Sequence, residues 1–163
     1  MILPIKTYPN KILKQKTKRV EKIDKEIEKL INDMIETMYA SNGAGLAANQ
    51  VGVAKQILMF DNGKGLKILI NPKISNRRGK VIAAEGCLSF PGLEIPVKRP
   101  EKINVEFMDR QGIKKEMKAE GLAARIICHE ADHLAGKTIL DTLGFIRKLS
   151  ARRKYLKEIK NRE

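Results

Sequence analysis

The only two histidines of this chain, His129 and His133, stand four positions apart, with Glu130 directly after the first. In an α-helix that spacing puts both imidazoles on one face, one turn apart. At about 100° per residue, Leu122, Ile126, His129 and His133 fall within roughly 40° of one line, while Glu130 and Asp132 lie about 80° to either side. The segment reads as a helix whose apolar stripe ends in two nitrogen donors, and any fold has to bury that stripe. Two His at this spacing with an adjoining Glu form the zincin arrangement, in which the imidazoles hold a divalent cation and the carboxylate handles a proton. The competing reading is a pair of core histidines on an amphipathic helix. With no other His in the chain, and Glu where the chemistry needs it, the metal reading is preferred.

A catalytic site of this kind takes three protein ligands and leaves one position open. The metzincin pattern supplies the third from a later His, and here Ile139 stands in that place. The third donor is therefore Cys, Asp or Glu. Cys128 adjoins His129 but points about 100° away around the helix. Cys87 remains, in Glu85-Gly86-Cys87-Leu88-Ser89-Phe90-Pro91-Gly92. The glycines and proline mark a tight, irregular piece of backbone after a strand, a common place for a rigidly held ligand. Alone, Cys87 would read as a small buried hydrophobe. Beside an incomplete two-His site it reads as the third donor.

A further segment runs Gly43-Ala44-Gly45-Leu46-Ala47-Ala48-Asn49-Gln50-Val51-Gly52. Its Gly-x-Gly opening is a weak nucleotide signal, because no strand precedes it, the third glycine is missing and no Gly-Lys-Ser/Thr run follows. Small residues allow close backbone approach, and Gln50 offers an amide donor suited to a developing oxyanion. Taken in order, Gly-x-Gly-Leu-Ala-Ala-x-Gln, Glu-Gly-Cys-Leu-Ser and His-Glu-x-Asp-His resemble the three signature motifs of the peptide deformylases, and the resemblance extends from Ile5-Lys6-Thr7-Tyr8-Pro9 past the last motif. It implies removal of the formyl group from N-terminal formylmethionine of new polypeptides, with formate released and a cation's water as nucleophile. By the resemblance Cys87, His129 and His133 bind one divalent metal. Fe2+ is expected in the cell, with Zn2+, Ni2+ or Co2+ able to take its place. Glu130 is the implied proton carrier, and Gln50 with the backbone N–H of Leu88 the oxyanion donors.

The resemblance also implies a methionine pocket lined near Gly43, Ala44, Glu85, Leu122, Arg125, Ile126 and His129. Gly45 would keep its backbone close to an extended substrate that pairs as an added strand. Ala44 stands where the family often carries a larger aliphatic residue, Arg125 where an apolar one is usual, and Glu94 where many members have an arginine. The expectation is an enlarged pocket with a cationic rim. Arg99 aligns with an arginine that the family pairs with the aspartate at Asp132, as a strut for the ligand helix. From geometry alone, Asp132 reads equally well as an exposed acid.

Length and composition fit one catalytic domain over 1–163: a chain of 163 residues buries roughly 70% of its unfolded surface without staples. No apolar run is long enough to span a membrane, and Met1-Ile2-Leu3-Pro4 lacks the regions of a secretory signal, so the cytoplasm is the expected compartment. The two cysteines do not make a disulfide framework, and a monomer is expected. Lys and Arg exceed Asp and Glu by 33 to 19, a net +14. The excess gathers in a basic tail at about 142–163, with Arg147, Lys148, Arg152, Arg153, Lys154, Lys157, Lys160 and Arg162 against Glu158 and Glu163. Leu149, Leu156 and Ile159 give it a broken apolar stripe, as in a helix that docks partly. Two readings stand almost level: contact with ribosomal RNA, as the C-terminal helix of some deformylases makes, or a solvated helix. A zincin-like endopeptidase lacks its downstream ligand here, and a nucleic-acid-binding module leaves the three motifs unexplained.

Helical periodicity of Ile27, Leu30, Ile31, Met34, Ile35 and Met38 predicts a helix over 24–40, with a shorter one at 11–15. Strands are predicted at 56–61, 67–71, 81–85, 103–108 and 114–119, with turns at 62–65 and 109–112. Small antiparallel sheets wrapped around a ligand helix at 121–135, followed by a C-terminal helix, make an α+β fold.

Overall fold

The computed structural model describes residues 1–161; Arg162 and Glu163, two of the charges counted in the tail, lie outside the described residues. The first long element, α1 (Lys25–Ala40), starts where Asp24 accepts the N–H of Ile27, with Glu26 and Glu28 in the first turn facing the positive end of the helix dipole. Seven strands follow: β1 (Gly45–Ala47), β2 (Ile57–Asp61), β3 (Leu66–Arg78), β4 (Val81–Cys87), β5 (Phe90–Arg99), β6 (Lys102–Met108) and β7 (Lys114–Glu120). The helix that carries both histidines is α2 (Leu122–Leu134), and α3 (Phe145–Lys160) closes the order. The helix expected at 11–15 is a 3₁₀ turn over Lys11–Lys14, and others lie at Ala48–Val51 and Ile139–Thr142.

Five strands form an antiparallel sheet in the order β1-β2-β3-β6-β7, and β4 with β5 forms a separate two-stranded sheet. The α+β class expected from the sequence is the one observed. Alternation along β2 shows how the large sheet is covered. Leu58 and Phe60 pack with Ile126, Ile127 and Leu134 of α2, whereas Ile57 and Met59 pack with Ile31, Met34 and Met38 of α1. Period-two side chains thus feed two cores on opposite faces. A third core gathers Tyr8, Leu13, Phe90, Ile95, Val97, Ile139, Leu140 and Tyr155 beneath the small sheet and α3.

Both predicted turns have a carboxylate at their centre. Asp61 Oδ1 accepts the N–H groups of Gly63 and Gly65, and Asp109 Oδ1 those of Gln111 and Ile113. Strand β3 runs well past the predicted 71, through polar residues, with register shifts between Ile70 and Lys73 and between Ser75 and Arg78. Strand β5 was not expected, because Pro91, Gly92 and Pro96 discourage a strand. A two-stranded sheet has outer edges on both sides, where a missing N–H breaks no ladder, and there these residues are tolerated.

Helix α3 begins at Phe145 rather than at 142, because Thr138 and Asp141 cap a 3₁₀ turn first: the Thr138 N–H donates to Asp141 Oδ2 at 2.8 Å. Leu156 and Ile159 pack as the apolar stripe predicts, but Leu149 stays 45% exposed. The anchor is Tyr155, whose ring lies 5.2 Å from Phe90 and 6.4 Å from Tyr8. Among the described residues no helix is long and apolar enough to cross a membrane. Tyr155→Ala is expected to lower unfolding stability by roughly 3 kcal/mol, measured by urea denaturation, and to speed proteolysis within α3.

Candidate metal centre

Helix α2 leaves β7 directly, with Gly121 at φ 60 turning the chain between them. Ala123, Ala124 and Ala131 favour the helix, and its buried face carries Ile126, His129, Glu130 and His133 in sequence. It stops at Gly136, whose φ of 74 suits the left-handed position after a helix. A side chain there would also collide with the Lys14 carbonyl.

Cys87 closes β4, at a register shift just before the turn Leu88–Ser89. Its Sγ lies 3.2 Å from His133 Nε2, and donor atoms of Cys87, His129 and His133 all lie within 4.8 Å of one another. Four-coordinate bonds of about 2.0–2.3 Å need donors roughly 3.5 Å apart, so one thiolate and two imidazole nitrogens stand close to ligand spacing. The donor set fits a borderline or soft divalent cation.

One wall of the centre is built from charges. Glu85 Oε2 meets His129 Nδ1 at 2.8 Å, which turns the other ring nitrogen toward Cys87. Arg99 spans the same carboxylate, with Nε 2.9 Å from Oε1 and one terminal nitrogen 3.1 Å from Oε2, and its other terminal nitrogen reaches Asp132 Oδ2 at 2.5 Å. Arg125 adds a fourth bond to this carboxylate, 2.7 Å to Oε1. Burial pushes the Glu85 carboxyl up, yet the bonds from His129 and Arg99 outweigh it and hold the pKa at about 2. Burial also opposes protonation of His129, but its contacts with Cys87 and Glu85 raise its pKa well above the usual value. Burial, and after it the neighbouring charges of His129 and Arg99, push the His133 pKa down. Glu130 is pushed up to about 7 by burial. Among the described residues no partner reaches the buried atoms Glu130 Oε2 and His133 Nδ1.

Gln50 sits in the 3₁₀ turn after β1, fully buried, and its orientation is set at both ends. Its Oε1 accepts the Ala47 N–H at 2.9 Å, and its Nε2 lies 3.2 Å from Ser89 Oγ and 3.7 Å from Cys87 Sγ. Gly45 is required by contact: a Cβ there would lie 2.6 Å from Ile126 Cγ2 and 2.7 Å from Glu130 Oε1. A cavity of about 520 Å³ opens above these groups, bringing together Gly43, Ala44, Gly45, Gln50, Glu85, Cys87, Leu88, Leu122, Arg125, Ile126, His129 and Glu130. His133 lies deeper, and Asp132 and Arg99 lie behind Glu85.

The sequence profile described as polypeptide deformylase matches residues 2–148. The chain belongs to the polypeptide deformylase family. It is 50% identical over 141 residues to a peptide deformylase of Dictyoglomus turgidum, covering 86% of this chain and 92% of that one. The crystal structure of a peptide deformylase from Legionella pneumophila superposes with a TM-score of 0.91 at 38% identity, covering 100% of this chain and 99% of the other. A second, from Ehrlichia chaffeensis in complex with actinonin, gives 0.89 at 41% identity, with 96% and 97% covered.

Within this deformylase, sequence reasoning placed Glu85 only in the pocket and missed its bond to His129. The available signal was a lone acid two residues before Cys87, on the same side of a strand as the thiol. Arg125 lines the cavity, but its guanidinium is committed to Glu85 and to backbone carbonyls rather than held out as a cationic rim. Glu94 is exposed on β5 and is not among the residues lining the cavity.

Glu85→Gln leaves the buried Arg99 and the half-buried Arg125 short of a countercharge and is expected to destabilise the protein by roughly 3 kcal/mol. The folded carboxyl titrates at about 2, below its ordinary 4.5, so its stabilisation is present above pH 4.5 and is lost as pH falls toward 2. The stability difference between parent and variant in urea titrations should therefore shrink across that window.

Proposed function

We propose that this deformylase hydrolyses the formyl group from the N-terminal formylmethionine of nascent polypeptides, and that Cys87, His129 and His133 hold the divalent cation it needs. The observation that carries the reading is the convergence of three donor atoms beside a buried, unpaired carboxylate oxygen, Glu130 Oε2, at the wall of one cavity. When bound, the cation supplies Lewis acidity and a water acidic enough to ionise near neutral pH.

The chain's own groups do the rest. Glu130, with a carboxyl held at about 7, is balanced to accept a proton at Oε2 and return it to the departing amine at neutral pH. Gln50 cannot lose a proton and is held by Ala47 and Ser89, so its Nε2 presents a fixed donor to a developing oxyanion, with the backbone N–H of Leu88 beside it. The apolar wall of Leu88, Leu122 and Ile126 suits an unbranched methionine side chain, and Ala44 leaves it room. Strand β1 lies at the end of the large sheet, and its free edge at Gly45 can take an extended peptide backbone as an added strand.

Fe2+ is the proposed native ion, with Zn2+, Ni2+ or Co2+ able to replace it, and residues 1–163 are taken as one catalytic domain acting as a monomer in the cytoplasm. The basic α3 is the proposed contact to ribosomal RNA; of its charges, Lys148 already pairs with Asp141. The direct test is formate release from a formyl-Met tripeptide by anaerobically prepared, Fe2+-loaded protein. Activity should disappear with chelator and return with added metal, and Cys87→Ala and Glu130→Ala should both abolish it. No formate from folded, metallated parent overturns the reading. Gln50→Ala is expected to lower kcat by about 10²- to 10³-fold while the protein stays folded and metallated.

A further inference from the structure

Arg125 stands one helical turn before His129 on α2, and both side chains reach one carboxylate. Arg125 Nη1 donates to Glu85 Oε1 at 2.7 Å, while His129 Nδ1 meets Glu85 Oε2 at 2.8 Å. The same guanidinium goes further. Nη1 also donates to the carbonyl of Val97 on β5 at 2.9 Å, and Nη2 to that of Val81 on β4 at 2.8 Å. A single side chain therefore fastens both strands of the hairpin to the helix.

That fastening matters because β4 and β5 form a sheet of their own, with no ladder to the five strands on which α2 rests. At the hairpin's turn, Phe90 stacks on Tyr8 with ring centres 5.0 Å apart, and the Tyr8 N–H donates to the Ser89 carbonyl. Toward the opposite end, the arginines Arg99 and Arg125 bond the hairpin to α2. Without the Arg125 bonds this end is held by Arg99 and by the packing of Ile95 and Val97, and a shift of β4 against α2 is carried along the strand to Cys87, which stands against His133. Charge points the same way. Glu85 and Asp132 face Arg99 and Arg125, two against two, and removal of Arg125 takes away one of the cations that face Glu85 beside His129.

We propose that Arg125 is a positioning residue: by bonding Glu85 and the carbonyls of Val81 and Val97, it sets the placement of Cys87 relative to the two histidines. Its charge is thereby committed inside the protein and does not recognise an anionic group on the substrate. The inference rests on the metal-dependent reading above. Lysine is no substitute, because an ammonium is a compact point charge without the planar fork that spans a carboxylate and two carbonyls.

The test compares parent, Arg125→Lys and Arg125→Met, each loaded with Co2+ and checked for folding by circular dichroism. The visible absorption of Co2+ reports ligand geometry, and its loss to excess EDTA reports how firmly the site is held. Formate release from formyl-Met and formyl-Glu tripeptides gives kcat and KM. Both variants are expected to shift the cobalt spectrum, to release Co2+ about 10- to 100-fold faster, and to lower kcat for the formyl-Met peptide with KM nearly unchanged. If Arg125→Met does not fold, Arg125→Lys carries the test. Parent-like spectra and EDTA rates in the folded variants overturn the proposal, as does full rescue by lysine. A change confined to KM for the formyl-Glu peptide also overturns it, by making Arg125 a substrate contact. Formate release by the parent tests the reaction separately, since the spectral and EDTA readouts need no turnover.

Discussion

A buried carboxylate is expensive unless every lone pair finds a donor, and Glu85 meets that requirement with side chains from two other elements. Arg99 comes from β5, and Arg125 and His129 come from α2. Asp132, also on α2, completes the balance by taking the outer face of Arg99. Such clusters seldom stabilise a fold more than well-packed apolar side chains would, because desolvation offsets most of the attraction. What this one supplies is directional attachment: together with the packing of Phe90, Ile95 and Val97, its bonds hold against the helix a small sheet that has no ladder to the main one. Cys87, two residues from Glu85, inherits that attachment.

The helix under that hairpin is held from below with equal firmness. Because β2 is buried on both faces, the sheet is gripped between α1 and α2, and α2 lies against a layer of Leu58, Phe60, Leu69 and Val105 that is itself supported from behind. Side chains on such an element keep their geometry better than side chains on loops. Gly45 shows how close the approach is, since even one carbon there would strike Ile126 and Glu130.

Much of this was legible in the residues. The spacing of His129 and His133, the apolar stripe of α2 and the periodicity of α1 are local patterns, and local patterns survive folding. So do the turns at Asp61 and Asp109, whose side chains bond within a few residues. The role of Glu85 was hidden because it depends on Arg99 and Arg125, which come near it only after β4 pairs with β5 and the hairpin meets α2. Strand β5 was hidden by its prolines. The extent of β3 was hidden because its second half carries few apolar residues and is kept extended by pairing with β6. Tyr155, as the anchor of α3, gave no periodic signal: its partners Tyr8 and Phe90 come from distant parts of the chain.

The two ends of the large sheet are treated in opposite ways. At one end β7 reads Lys-Lys-Glu-Met-Lys-Ala-Glu, and charge along an outer strand discourages any neighbour from adding to it. At the other end β1, Gly-Leu-Ala, carries no charge. Proteins usually avoid such a strand, since unpaired backbone groups invite other chains to join and spread into aggregates. Here its length sets the limit. With three residues, β1 is too short to nucleate a sheet, which keeps the peptide pairing proposed for its edge apart from self-association.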